Sequence, residues 1–499
     1  MPTSIINNVD IDDVMKKAAT AAKDFHALNQ AETDRIVEAV YHAGFNARVS
    51  LAQMAVDETR LGILKDKVIK NIIATRYVYQ DIRNQKTVGV IGEDVEKGIV
   101  KMAQPIGPIF AITPITNPTS TVLFKILIAM KSRNPIIIRP HGAARRCSIE
   151  AARICYDAAR NAGAPEHCIQ WIKRSSEEET IAFMKHKRTA LILATGSVSL
   201  VRAAYSSGNP ALGIGPGNVP VYIGKSAELP FAVDQIILSK TFDNGTICAS
   251  EQAVIVKRPF AEKIIRMFKE RKAHFLSQSE IEKVSAIAYN KTQRVMNATV
   301  IGQPAAVIAK MAGISVPEDT TVLIAQLERV GYDHPLSLEI LAPILAFYIA
   351  DDFDHAIRIC REVNSHGGLG HTASIFSNDE DRIEYFADAM NAGRILVNTP
   401  ASFGALGGTY NALQPSLTLA CGTHGKNLTT DNITAKHLIN IQRIARRKEH
   451  SCLPCMDAFA VDEDVMANFV DDKCTTINGE RGECKDIFSV SRDEASPAL

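Results

Sequence analysis

The sequence lacks any marked excess of charge. Among 499 residues, 56 Lys and Arg face 55 Asp and Glu, a net charge of +1. So even a balance supports no nucleic-acid footprint, which needs a basic face or stripe, though local basic pockets for phosphorylated cofactors are compatible with it. Long apolar runs are also missing, and no stretch reaches the roughly 18 uninterrupted apolar residues of a membrane span. The first residues, MPTSIINNVDIDDVMKK, are polar and acidic where a secretory signal has its apolar core, so a cytoplasmic location is expected. Cysteine is sparse. Ten in so long a chain make no disulfide scaffold, and in a reducing cytosol they are expected as thiols or ligands. No internal repeat or low-complexity linker interrupts the chain. What is present is 46% hydrophobic and 22% charged, the ordinary composition of a soluble globular protein. Its length suits two or three domains, or one large α/β enzyme with an interdomain cleft.

Residues 11–84 read as helices, because apolar residues such as Ile36, Val37 and Val40, or Val68, Ile69, Ile72 and Ile73, recur at three- and four-residue spacing. Residues 88–103 read as two strands around a glycine-containing turn. From about 105 to 240, the β-rich runs PIFAIT, NPIIIRP, ALILAT and VPVYIG alternate with helical stretches such as 143–162 and 199–205. That alternation predicts a parallel, doubly wound sheet with helices on both faces. The unbroken run Ile136, Ile137, Ile138 suits a strand covered on both sides. A second alternating region covers about 241–412, so two α/β domains with a cleft are the simplest reading. Residues 451–499 stand apart as an acidic appendage, with 11 acidic and 4 basic residues.

The sharpest chemical signal is TFDNGTICASEQ, residues 241–252. Gly245 permits a turn or close backbone approach, and Cys248 follows among small and polar neighbours. A thiol of lowered pKa attacks carbonyls well, and its thioester suits acyl transfer. Taken alone, Cys248 is explained as readily by packing as a small hydrophobe.

The segment FDNGTICASEQ resembles the nucleophile region of the CoA-acylating aldehyde dehydrogenases, including the aldehyde half of the bifunctional aldehyde–alcohol dehydrogenases. The resemblance continues through PITNPTS (114–120), ILATG (192–196), AAYSSGNPALGIGPGNVPV (203–221), GLGHTASIF (368–376), ILVNTPAS (395–402) and PSLTLACG (415–422). These motifs stand in the family's order and cover roughly residues 10–445. The resemblance implies an aldehyde, coenzyme A and NAD or NADP as reactants, with a Cys248 thioester between two half-reactions. It implies no metal in the active site. Asn117 matches the asparagine whose amide helps bind the oxyanion; on local grounds alone it is also a turn residue before Pro118. Glu339 matches the glutamate that holds the nicotinamide ribose, where the bland alternative is a solvated acid. Thr116 and Gly215 fall in the matching cofactor segments. Gly196 and Ser197 follow a strand and open a helix, where backbone N–H groups receive a pyrophosphate. Arg139 stands where the wider superfamily has a lysine near the adenosine ribose; Gly142 offers no acid to exclude a 2′-phosphate, and the choice between NAD and NADP stays open. His371 is a candidate to deprotonate the CoA thiol, since imidazole titrates near neutrality, or else a core histidine.

One absence bears on the second half-reaction. Hydrolytic members of the superfamily carry a glutamate base in a Glu-Leu-Gly-Gly segment, and alignment on Pro220 puts Ile214 at that place. Water attack on the acyl-enzyme should then be slow, which favours transfer to a thiol. Beyond PSLTLACG, relatives acting on small neutral aldehydes continue Ser-Trp-Gly-Gly-Asn, whereas this chain has Thr423, His424, Gly425, Lys426 and Asn427. If His424 and Lys426 line the aldehyde pocket, the substrate is an anionic aldehyde such as sulfoacetaldehyde or succinate semialdehyde; otherwise they are surface substitutions, and acetaldehyde is the alternative substrate.

The resemblance implies the aldehyde dehydrogenase fold. A Rossmann-like dinucleotide-binding domain is expected over 1–240, carrying a hairpin at 88–103, and an α/β catalytic domain over 241–425. A return over 426–446 should pair its strand-like part, 437–444, with the hairpin as a small oligomerisation element. Such an element is expected to be covered by a second subunit, giving a homodimer or homotetramer. Fewer than 60 residues follow Ile444, so no iron-dependent alcohol dehydrogenase domain is expected after it. In the acidic tail, 447–499, Cys452, Cys455, Cys474 and Cys484 suggest either a zinc site of irregular spacing or, with residues 462–470, an amphipathic docking helix.

Overall fold

Two parallel sheets carry the chain, and each is buried on both faces by helices. The computed structural model describes residues 10–446. The four cysteines of the tail and the amphipathic segment 462–470 lie outside the described residues. Most of the chain, through residue 89 and from 103 to 440, forms one compact unit.

Within it, a five-stranded sheet runs in the order Ile169–Trp171, Ile136–Arg139, Ile109–Ile112, Leu191–Thr195, Ala211–Ile214, with every neighbouring pair parallel. Side chains alternate across a strand, and the two faces show it. Ile109, Ala111, Ile136, Ile138 and Leu193 pack on one side against helices Gln30–Asn46, Pro118–Lys131 and Arg145–Asn161. Phe110, Ile112, Ile137 and Ile192 pack on the other against Ile11–His26 and Glu177–Lys185. The doubly wound pattern expected from 105 to 240 is therefore present. Helix Pro118–Lys131 is buried along its whole length. Its Lys125 donates to the carbonyls of Ile112 and Leu193 at 2.7 and 2.8 Å, which fastens it across two strands.

The seven-stranded sheet is ordered His274–Phe275, Leu323–Gln326, Ile344–Ala350, Glu251–Lys257, Val219–Ile223, Ala373–Phe376, Ile395–Val397, again parallel throughout. Val219–Ile223 pairs with Glu251–Lys257, so the chain leaves the first sheet for the second at residues 215–218. That passage comes well before residue 240, where the sequence pattern put a boundary. The run VPVYIG reads equally well as a last strand of one sheet or a central strand of the next. Conversely, Ala420, Ile433, Ala435 and Leu438 return to the core of the five-stranded sheet.

The second unit takes in residues 90–102 and, among the described residues, 441–446. Its sheet is three-stranded, ordered Gly89–Asp94, Ile99–Pro105, Ile439–Ala445. The last strand starts after His437, because Thr434 and His437 cap each other around a short 3₁₀ turn, Ala435–Leu438. Among the described residues, no helix is long and apolar enough to cross a membrane.

Candidate active site

Helix Leu229–Thr241 runs into one irregular turn, Phe242–Gly245, in which Asp243 (φ 50°) and Asn244 (φ 53°) are left-handed. Such a conformation costs on the order of 1 kcal/mol or more per non-glycine residue and persists only when the surroundings over-determine it. Here they do. The buried Asp243 carboxylate accepts from the Ile63 N–H at 2.7 Å, from Lys67 at 3.0 Å, from Lys70 and from the Thr246 hydroxyl at 2.7 Å. The Asp243 N–H donates to Asp66 at 2.7 Å, and the Asn244 amide to the Gly302 carbonyl at 2.9 Å. Burial opposes the charge on Asp243, yet Lys70 and Lys67 hold its pKa below the ordinary value. At Gly245 (φ 74°) a Cβ would stand 2.8 Å from the Ala342 backbone, so that position requires glycine.

Three residues beyond this turn, just ahead of strand Glu251–Lys257, lies Cys248. It is the one cysteine of the six described that is not fully buried. Gly217, in the passage between the sheets, packs directly on it. A Cβ there would meet the Cys248 carbonyl oxygen at 2.1 Å and His371 Cγ at 3.2 Å. The Gly217 N–H donates to Glu339 at 2.8 Å. Burial pushes the Cys248 thiol up to about 12, with Glu339 and Cys421 adding to it and Arg394 opposing. Burial likewise lifts Glu339 to about 7, against the Gly217 N–H and Lys240.

His371 is fully buried, its Nδ1 paired with the Thr372 hydroxyl at 2.9 Å, while its Nε2 has no hydrogen-bond partner among the described residues. Burial, and then Arg394, press its pKa down to about 3. The sequence alone suggests titration near neutrality; burial instead shifts this imidazole downward, toward its neutral form.

Asn117 immediately precedes helix Pro118–Lys131 without capping it through its side chain, and its amide nitrogen donates to the Thr116 hydroxyl at 3.1 Å and the Thr246 carbonyl at 3.3 Å. The structure therefore brings Asn117 to the loop that bears Cys248. His424 and Lys426 lie in and just after the short turn Thr423–Gly425. Both are exposed, and neither side chain has a hydrogen-bond or ion-pair partner among the described residues. Ile214, 2% exposed, points into the apolar core, so no carboxylate occupies that place.

The remaining candidates sit at the carboxyl ends of the five-stranded sheet, where α/β folds place their ligands. Ser197 caps helix Val198–Tyr205, accepting from the Leu200 N–H at 3.4 Å, with Gly196 in the turn before it. A Cβ on Gly215 would meet nothing within 4 Å, so this backbone is open to a ligand. Arg139 ends its strand with Nε donating to the Ser175 hydroxyl at 3.3 Å. It shares a cavity of about 250 Å³ with Gly142, Arg145, Lys173 and Arg174. None of those last three cations has a hydrogen-bond or ion-pair partner among the described residues. Four cations and no lining carboxylate suit an adenosine ribose bearing a phosphate. Among the described residues, no three His, Cys, Asp or Glu groups gather as metal ligands.

Sequence reasoning missed two groups. Lys67 and Lys70, three apart on helix Leu64–Ile72, are not singled out by any motif but are buried on Asp243. Arg394 precedes strand Ile395–Val397 and is 4% exposed. It bonds to the Thr372 hydroxyl and Asn432 amide oxygen at 3.4 and 3.3 Å and the Thr430 carbonyl at 3.1 Å, and pairs with no carboxylate among the described residues. Its only sequence signal is a charge inside the otherwise apolar motif GRILVN.

Turns fit for phosphates at the carboxyl ends of one parallel sheet, and a cysteine with an amide donor at the amino ends of the other, characterise an α/β enzyme pairing a dinucleotide with a thiol. The family described as "Aldehyde dehydrogenase family" matches residues 3–410. The aldehyde-alcohol dehydrogenase of Clostridium acetobutylicum is 44% identical over 88% of this chain and 51% of its own length, so the chain spans about half of that relative. The acetylating succinate-semialdehyde dehydrogenase of Clostridium kluyveri is 34% identical over 90% of this chain and 98% of its own. The crystal structure of an acetylating aldehyde dehydrogenase from Geobacillus thermoglucosidasius superposes with a TM-score of 0.86 at 46% identity, covering 89% of this chain and 97% of that one. The chain belongs to the aldehyde dehydrogenase family.

Proposed function

We propose that this chain is a CoA-acylating aldehyde dehydrogenase, which converts an aldehyde, CoA and NAD(P)⁺ reversibly to acyl-CoA and NAD(P)H. The observation that carries the reading is the close fit of Gly217 against both the Cys248 carbonyl and His371, with the Asn117 amide on Thr246 of the loop that bears Cys248 and the apolar Ile214 where hydrolytic members keep their base. Cys248 attacks the aldehyde carbon and forms a C–S bond. The Asn117 amide and the Cys248 N–H hold the developing oxyanion. A nicotinamide held beside these residues would supply the acceptor for the hydride that leaves the carbon, so that Cys248 then carries a thioester. Glu339 and Gly215 line the cofactor's path, with Thr116, Gly196, Ser197 and Arg139 beside it. His371, neutral and with a free Nε2, receives the proton of the incoming CoA thiol as sulfur displaces sulfur at the acyl carbon.

Arg139, Arg145, Lys173 and Arg174 favour a phosphate-bearing adenosine, and hence NADP⁺ over NAD⁺. A short anionic aldehyde is supported by Arg394, a buried guanidinium with no carboxylate partner near Cys248, rather than by the exposed His424 and Lys426. The chain is proposed to act in the cytoplasm as a homodimer or homotetramer, since Val90, Val95, Ile441 and Ile444 of the three-stranded unit are exposed. The test is NAD(P)H formation from acetaldehyde, succinate semialdehyde and sulfoacetaldehyde, with CoA present and omitted. Steady turnover only with CoA, a lower KM for NADP⁺ than for NAD⁺, and a higher kcat/KM for the anionic aldehydes are expected. Undiminished turnover to the free acid without CoA would establish a hydrolytic enzyme instead; no signal with any aldehyde would leave a scaffold without catalysis.

A further inference from the structure

Lys70 is 2% exposed and uses all three of its N–H donors. They go to the Asn117 side-chain oxygen at 2.6 Å, the Thr246 hydroxyl at 2.9 Å and the Asp243 carboxylate. An ammonium donates and never accepts, whereas an amide has an acceptor end and a donor end. Whatever faces Lys70 must therefore be the oxygen of Asn117. The nitrogen is left to the other side, where it donates to the Thr116 hydroxyl and to the carbonyl of Thr246, two residues ahead of Cys248. An amide turned the other way would put two N–H groups against a buried cation and aim a lone pair at the nucleophile.

We propose that Lys70 is a positioning residue for the reaction, which holds the Asn117 amide with its donor end toward the carbonyl oxygen that Cys248 attacks. This rests on Asn117 as an oxyanion donor and says what makes it one. The same ammonium ties the amide to the turn bearing the nucleophile, through Asp243 and Thr246. Lys67, one helical turn away, holds the Thr116 carbonyl at 3.1 Å and shares Asp243. Donor and nucleophile are thus registered by one buried cluster before substrate arrives, as electrostatic preorganisation requires.

The test is a double-mutant cycle on the first turnover, read as the rate of NAD(P)H formation from acetaldehyde with CoA omitted, together with KM and thermal melting. Asn117→Ala should slow that step by about a hundredfold, the usual effect of one lost oxyanion donor. Lys70→Met should slow it at least tenfold with KM changed less than threefold. The double variant should match Asn117→Ala within twofold, because a misdirected amide and a missing one are equivalent. Independent, multiplying losses, or an unchanged rate in Lys70→Met, would overturn the proposal. Full activity of Asn117→Ala would instead overturn the oxyanion reading beneath it. If Lys70→Met does not fold, Lys70→Gln takes its place in the cycle, with the same outcomes decisive. Its amide can offer either end and so leaves Asn117 free to turn.

Discussion

Cys248 lies where its field comes from Glu339 and Cys421 on one side and Arg394 on the other, and burial makes it a poor acid at rest, with a pKa of about 12. Its thiolate fraction should rise about tenfold per pH unit between pH 7 and 9, well below that pKa. Glu339, at about 7, is neutral below that pH and charged above it, and only the charged form opposes the thiolate. Alkylation of Cys248 by iodoacetamide, followed on its own peptide, should therefore climb with pH in both wild type and Glu339→Gln. The variant should react at the wild-type rate at pH 6 and several-fold faster at pH 9. Equal rates at pH 9 would show that the carboxylate does not act on the thiol. At this scale Cys248, Asn117 and Glu339 could be picked out from motif resemblance, since each sits in a run of several matching residues. The charges could not. Lys67, Lys70 and Arg394 look like ordinary surface cations until the fold supplies Asp243 or the walls around Arg394. His424 and Lys426, a departure in a familiar motif, are exposed in and beside the turn Thr423–Gly425.

The elements were readable where their period was strong. Alternating side chains of the central strands divide cleanly between two helical layers, and the apolar runs that suggested buried parallel strands are such strands. The passage between sheets was less readable, because GPGN carries no periodicity and the flanking strands, ALGI and VPVYI, are alike in character. That same passage is where backbone fit is tightest. Gly217→Ala would force a Cβ to within 2.1 Å of the Cys248 carbonyl and close to His371. A displacement of about 1 Å at a reacting group costs on the order of a hundredfold in rate, so kcat should fall by about that factor while the protein still folds. Gly92→Ala, in the three-stranded unit with open space around its Cβ, serves as the control and should retain wild-type activity. Comparable losses in the two variants would mean that the effect is not local to the Cys248 packing.

For the whole molecule, the two parallel sheets and the family could be anticipated from the chain alone, because motifs in a fixed order constrain the fold more than any one segment does. The reaction is constrained less directly, by a nucleophile, a donor and a place where a base is missing. In the proposed reaction they are joined by an acyl group that waits on Cys248 for a thiol rather than for water. Mass measurement of the Cys248 peptide, after the protein is mixed with aldehyde and NADP⁺ but no CoA, tests that claim most directly. The account predicts an acyl adduct on Cys248 that persists after one equivalent of NADPH has formed and disappears on addition of CoA, with acyl-CoA released in equal amount. Free acid accumulating without CoA, or an adduct that CoA does not remove, would contradict it.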